Sequence, residues 1–150
     1  KNPDMVLMDT AVIAGMGGEP IVSILADSLE KTPDTLVLSC HTSTEVLRSW
    51  LAENGFWIED EELLEEKGHF YPIIRARRGP SPVLTAAELE FGPALLRKKP
   101  ETLRHMVEKR IRKAHEIRGR LETADSPRQA ELLGLLDDRL SRYEEVRKSL

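Results

Sequence analysis

The chain has one cysteine, Cys40, in 150 residues, so no disulfide can form within it, and cysteine use this sparse suits a reducing compartment. No apolar run approaches the ~20 residues that span a bilayer, and no basic-then-apolar leader is visible; a membrane-free, cytoplasmic protein is the expectation. The four histidines show no His-x-x-x-His spacing and have no Cys-x-x-Cys companion, so no metal is assigned. A Gly-Lys-Ser/Thr triplet is also missing, which removes a nucleotide P-loop.

What is present is a strand that runs into glycine. Thr10-Ala11-Val12-Ile13 is followed by Ala14-Gly15-Met16-Gly17-Gly18, and Pro20 then suits the first turn of a helix carrying Ile21, Ile24, Leu25 and Leu29. Glycine at a strand-to-helix corner allows positive φ and lets a ligand approach where a Cβ would obstruct it. The same residues also serve as a plain tight connection, and Met16 as an adaptable core filler. Thr35 to Cys40 reads as a buried parallel strand. Thr42 and Glu45 fit a capping box for the helix bearing Val46, Leu47, Trp50 and Leu51, which stops at Asn54-Gly55.

Phe56 to Leu64 and Phe70 to Arg77 flank a polar connection and predict an antiparallel hairpin, with the acidic block from Glu59 to Glu66 as a solvated edge that discourages strand addition. Arg78-Gly79-Pro80-Ser81-Pro82 continues neither strand nor helix and marks a boundary. Beyond it, Leu103, Val107, Ile111, Ala114, Ile117 and Leu121 recur at helical spacing, as do Leu133, Leu136, Leu140 and Tyr143. The turn Asp125-Ser126-Pro127 offers a cap and a proline for the second helix, so an antiparallel, coiled-coil-like hairpin is predicted. Reflection about Ser126-Pro127 pairs Ile117 with Leu136 and Leu103 with Leu150, and places Gly119 opposite Gly134, where a narrow waist is expected.

Net charge is −4, but it is segregated: residues 97 to 120 hold ten Lys or Arg against three Glu. A local excess of this kind is the electrostatic footprint of a polyanion partner, or else a solvated helix face.

The order Asp9-Thr10-Ala11-Val12-Ile13-Ala14-Gly15-Met16-Gly17-Gly18, Leu36-Val37-Leu38, Leu47-Arg48-x-Trp50-Leu51-x-x-Asn54-Gly55-Phe56, Glu61-x-Leu63-x-x-Glu66-x-Gly68-x-x-Tyr71-x-Ile73-Ile74 and Glu90-Phe91-Gly92-Pro93-x-Leu95-Leu96 resembles the bacterial tRNA adenine-N1 methyltransferases of the TrmK type. These are class I enzymes that use S-adenosylmethionine. The resemblance covers most of residues 9 to 105 and lies in order and spacing. It implies an α/β fold: the C-terminal half of a class I, Rossmann-like sheet in residues 1–79, followed by a tRNA-binding helical hairpin domain in residues 80–150.

By the same resemblance the activity is methylation of tRNA, at adenine 22, from S-adenosylmethionine, whose main pocket belongs to an N-terminal half not seen here. The chain alone is then expected to be inactive. Ala14, Gly15, Met16, Gly17 and Gly18 would lie near the donor and the flipped base, with Ser39, Cys40 and His41 beside them where many relatives carry Gln-Pro-Asn. No base partner is visible for Cys40 as a nucleophile. The hairpin end (Arg75, Arg77, Arg78) and the basic helix (Lys98, Lys99, Arg104, Lys109, Arg110, Arg112, Lys113, Arg118, Arg120) would hold RNA phosphates. Two further expectations stand beside this: self-association through an unpaired apolar sheet edge, and an alternative in which the chain is a non-catalytic module presenting a basic helical face to RNA or protein.

Overall fold

Two short runs of apolar and β-branched residues form parallel neighbours, and everything else in the first part of the chain is arranged around them. The structure, a computed structural model, describes residues 9–150. The first eight positions of the expected 1–79 domain lie outside the described residues. Strands β1 (Thr10–Met16) and β2 (Thr35–Cys40) pair in parallel, with Val12 opposite Val37 and Ile13 opposite Leu38. The crossover between them is helix α1 (Gly18–Asp27) and a single 3-10 turn (Leu29–Lys31). Helix α2 (Thr44–Glu53) ends at Gly55, whose φ of 83° is the left-handed stop anticipated there.

Strands β3 (Phe56–Glu66) and β4 (His69–Arg78) form the hairpin, and β4 inserts antiparallel between β2 and β3, giving the order β1-β2-β4-β3. Both strands run further than predicted. Lys67 and Gly68, with φ of 51° and 77°, make the whole turn, as a two-residue connection with two positive φ values requires. Pro72 is tolerated in this inserted strand because pairing with β2 begins only at Ile73. Helices α1 and α2 share one core with the sheet through Ile21, Leu25, Leu47 and Leu51 against Leu36, Leu38, Ile74 and Ala76. Val12 lies at odd parity with this buried set and is 70% exposed on the edge strand β1.

Helices α3 (Ala86–Phe91) and α4 (Pro93–Lys98) follow an irregular stretch. A capping box, absent from α2, occurs here: the Thr85 hydroxyl accepts from the Glu88 amide and the Glu88 carboxylate accepts from the Thr85 amide. Helix α3 packs on α2 and α4 packs on β3, so the first compact unit ends at Lys98 and the second is Lys99–Leu150. The division therefore falls about twenty residues beyond the Gly79-Pro80 break, because a proline-rich linker ends a strand without ending a core.

In the second unit, helices α5 (Glu101–Glu122) and α6 (Gln129–Ser149) pack through Leu103, Val107, Ile111 and Ala114 and through Leu136, Leu140, Tyr143 and Val146. Arg104 donates to the Leu150 carbonyl at 2.7 Å and Arg118 to Asp137 at 2.7 Å, which fixes an antiparallel register. Two local expectations are corrected. Gly119 and Gly134 are exposed, and a Cβ on either would meet nothing within 4 Å, so no waist forms between them. Pro127, expected at the start of the second helix, sits in the turn ahead of α6, and Gln129 reaches back to the Leu121 carbonyl at 2.6 Å, closing α5.

The Arg118 guanidinium holds the Asp137 carboxyl below the ordinary carboxylate value. A depressed folded value means that the contribution is present above the unfolded value of about 3.9 and lost as pH falls through the folded one. Asp137→Asn is therefore expected to lower the urea midpoint at neutral pH, with the difference from the parent closing as pH drops below about 4.

Candidate functional site

The corner after β1 and the corner after β2 lie side by side at the carboxyl ends of two adjacent parallel strands. This is the position where open α/β sheets place ligands. The register slips between Ile13 and Met16, which lets Met16 pair with Cys40 while Gly15 takes a φ of 77°. A Cβ on Gly15 would meet nothing within 4 Å, so its side of the corner is open. Gly15 and Ala14 are exposed, whereas Met16 is half-buried against the core.

Gly17 and Gly18 are used differently. The Gly18 amide donates to the Thr42 carbonyl at 2.7 Å, and Gly18 is buried. A Cβ there would run into the Ser43 carbonyl oxygen, and one on Gly17 would come within 2.6 Å of Thr42 Oγ1. Only glycine lets the two corners touch. The same contact explains why the predicted Thr42 and Glu45 box does not form: Thr42 is held outside the helix, and Ser43, left-handed at φ 53°, becomes the N-cap without a side-chain bond.

Of the three residues singled out from the sequence at the end of β2, Ser39 is half-buried and Cys40 is buried, while His41, just past the strand, is exposed. The Cys40 thiol donates to the Thr44 hydroxyl at 3.3 Å, and burial pushes its pKa up, so the sulfur stays protonated and packs as a small apolar group. Among the described residues no cluster of three or more His, Cys, Asp or Glu could hold a metal, and no helix is long and apolar enough to cross a membrane.

The cations divide into two sets. Arg75 and Arg77 both bind Glu59, at 3.1 and 2.6 Å, and draw its carboxyl below the usual range, with the Arg77 hydrogen bond the largest cause. Arg78 bonds Asp34 and the Thr32 carbonyl and lies over the Phe56 ring. Lys98 reaches Asp60, Glu62 and the Glu61 carbonyl. Arg104 and Arg118 are held within the hairpin as described, and Lys109 and Arg110 are likewise not without partners. Lys99, Arg112, Lys113 and Arg120 are exposed and make no ion pair among the described residues.

Sequence reasoning missed the buried pair Arg48–Glu61. Glu61 belongs to the block taken as a solvated edge, yet it is 1% exposed. Arg48 Nε and Nη2 each lie 2.9 Å from its Oε2, while Arg48 Nη1 donates to the Leu89 and Glu90 carbonyls. Glu61 Oε1 accepts from the Ala94 amide at 3.0 Å. Desolvation pushes the Glu61 carboxyl up, and Arg48 and the Ala94 amide oppose it. The irregularity between Ile58 and Asp60 is the cause, since one extra residue in β3 turns Glu61 inward where plain alternation would have turned Asp60. Its signal in the sequence was an arginine beside the apolar positions Leu47 and Leu51 of a short helix.

A family model described as tRNA (adenine(22)-N(1))-methyltransferase, TrmK, matches residues 2–144. The Bacillus subtilis protein of that description is 27% identical over 146 residues, 92% of this chain and 61% of the relative. A Streptococcus agalactiae structure of the NADB-Rossmann superfamily superimposes with a TM-score of 0.83 at 33% identity, covering 94% of this chain and 60% of that one. A Streptococcus pneumoniae protein solved in complex with S-adenosyl-L-methionine gives 0.76 at 32%, covering 93% and 60%. The fold is thus Rossmann-like, and the chain spans about three fifths of the length of these relatives.

Two substitutions test the glycine assignments. Gly18→Ala should cost about 3 kcal/mol, since packed backbone must give way, while Gly15→Ala should cost only about 1 kcal/mol of backbone strain, both read from urea denaturation. Arg48→Leu should destabilise by about 3–5 kcal/mol through the unpaired carboxylate, and the double change with Glu61→Leu should recover most of that loss.

Proposed function

We propose, from the premise that this chain belongs to the tRNA (adenine(22)-N(1))-methyltransferase family, that it supplies the substrate side of a methyl-transferring sheet and a helical hairpin that grips tRNA. The observation that carries the reading is the pair of corners at the ends of β1 and β2, one of them open at Gly15. The order β1-β2-β4-β3, with an antiparallel strand inserted after a parallel pair, fits the carboxyl-terminal half of a class I methyltransferase sheet. Val12, exposed on β1, would then pack against the rest of that sheet, or in its absence against a second copy. The compartment would be the cytoplasm, where such tRNA is found.

The open side of Gly15 and the small Ala14 suit close approach by a flat, bulky group, so the corner fits a donor held mainly elsewhere. S-adenosylmethionine, when bound, supplies an electrophilic methyl on a positively charged sulfur. Adenine N1 already carries the attacking lone pair, so this chain's task is to hold the base in line and keep it unpaired. Gly15, Met16 and Gly17 would offer backbone edges to that base, and Ser39 and His41 would border it from the neighbouring corner. Thr42 and Ser43, locked on Gly18, keep the two borders at a fixed separation.

RNA phosphates would be held by the outward stripe Lys99, Arg112, Lys113 and Arg120, a narrower set than the charge count suggests. The arginines of β4 are spent on Glu59 and Asp34. An antiparallel pair of long helices, packed in coiled-coil fashion, would serve as a stiff arm for this stripe. Charge reversal at Arg112, Lys113 and Arg120 is expected to weaken unmodified tRNA uniformly and to flatten the plot of log affinity against log salt by about 0.9 per lost phosphate contact. Arg75→Gln with Arg77→Gln should leave both nearly unchanged. Fluorescence anisotropy with labelled tRNA at several salt concentrations reads both, and an unaltered slope in the first variant sinks the assignment.

A further inference from the structure

Helices α1, α2 and α3 carry six carboxylates, Glu19, Asp27, Glu45, Glu53, Glu88 and Glu90, against one cation. That cation is Arg48, which is buried against Glu61 and contributes nothing to the surface. Elsewhere in the same unit the acidic residues of β3 are matched by Arg75, Arg77 and Lys98, so the imbalance belongs to this helical layer.

The three helices also enclose an open groove of about 460 Å³. Val22, Val46, Trp50 and Leu89 line it, with Val46 38% exposed, and Glu45 and Glu53 stand on its rim. Among the described residues Glu45 makes no ion pair or hydrogen bond, and Glu53 only accepts from Ser49 at 3.0 Å. The two carboxylates sit eight residues apart on α2, a rise of about 12 Å, with Val46 and Trp50 between them. An apolar floor with unpaired acids at its ends complements an amphipathic helix that carries aliphatic anchors and flanking cations.

We infer that this groove docks a basic amphipathic helix of a partner protein. A polyanion is repelled by the same rim, so the surface is separate from any tRNA contact. A second copy of this chain is a poor occupant. Its cationic helix α5 turns its aliphatic residues toward α6 and offers polar residues such as Arg112, Lys113 and Glu116 outward. Trp50, stacked on Phe56 at 6.4 Å between ring centroids, provides a rigid aromatic anchor of the type that dominates small interfaces.

The test uses the 150-residue chain with Trp57→Phe, which leaves Trp50 as the sole tryptophan. The probe is a synthetic helical peptide of about 14 residues with leucines at i, i+3, i+4 and i+7 and lysines beside them. The inference expects saturable binding with a blue shift of Trp50 emission, and none for the analogue with glutamates in place of the lysines. Glu45→Lys with Glu53→Lys, both on the surface, should weaken the peptide roughly tenfold or more with an unchanged circular dichroism spectrum. Excess tRNA should not displace it. Equal binding of both peptides, or binding untouched by the charge reversal, overturns the inference. So does a dimer in sedimentation that the same reversal dissolves, since the groove would then belong to a second copy.

Discussion

A single backbone contact sets the geometry of the first unit: the Gly18 amide on the Thr42 carbonyl, with the Ser43 carbonyl pressed against the Gly18 α-carbon. Parallel pairing alone would bring β1 and β2 together but leave their following loops free to diverge. The contact removes that freedom. It forces Ser43 into the left-handed region, sets the start of α2, and leaves Gly15 as the open face of a double corner. A conformational cost at Ser43 is offset by the packing it permits, and a corner made of backbone becomes as rigid as the sheet behind it.

A second constraint ties that corner to the rest of the unit. Arg48 leaves α2 and meets Glu61 of β3, the Leu89 and Glu90 carbonyls at the end of α3 and, through Glu61, the first turn of α4. Every side-chain polar atom of the buried pair finds a partner, which is the condition under which a buried ion pair specifies one arrangement. Much of the remaining charge is spent in the same way. Arg75, Arg77, Arg78 and Lys98 neutralise local carboxylates, so the exposed cations without an ion pair among the described residues include Lys99, just ahead of α5, and Arg112, Lys113 and Arg120 on it.

The elements that could be read from residues alone are those set by periodicity and by glycine. The two parallel strands, the helix ending at Asn54-Gly55, the hairpin and the antiparallel long helices all follow from apolar spacing and turn chemistry. What escaped depended on tertiary contacts. Thr42 and Glu45 match a capping pattern, but the pattern cannot register that Gly18 claims the Thr42 carbonyl. Glu61 sits in an acidic run, and only a slip in strand pairing turns it inward. Gly119 and Gly134 were matched by reflection, yet helix rotation turns both to solvent. The cation count from 97 to 120 is legible in the sequence, while which of those cations are held in ion pairs needed the fold to be known.

The central claim is that the Gly15 corner borders the methyl donor and the target adenine. The most direct measurement is S-adenosylmethionine-dependent methylation of unmodified tRNA by the protein expressed from its complete reading frame, compared with Gly15→Val in the same background. The account predicts methylation at an adenine N1 in the parent. In the variant, turnover should collapse while tRNA affinity and the cooperative unfolding of the unit that holds position 15 stay close to those of the parent. Undiminished turnover with valine at position 15 would contradict it.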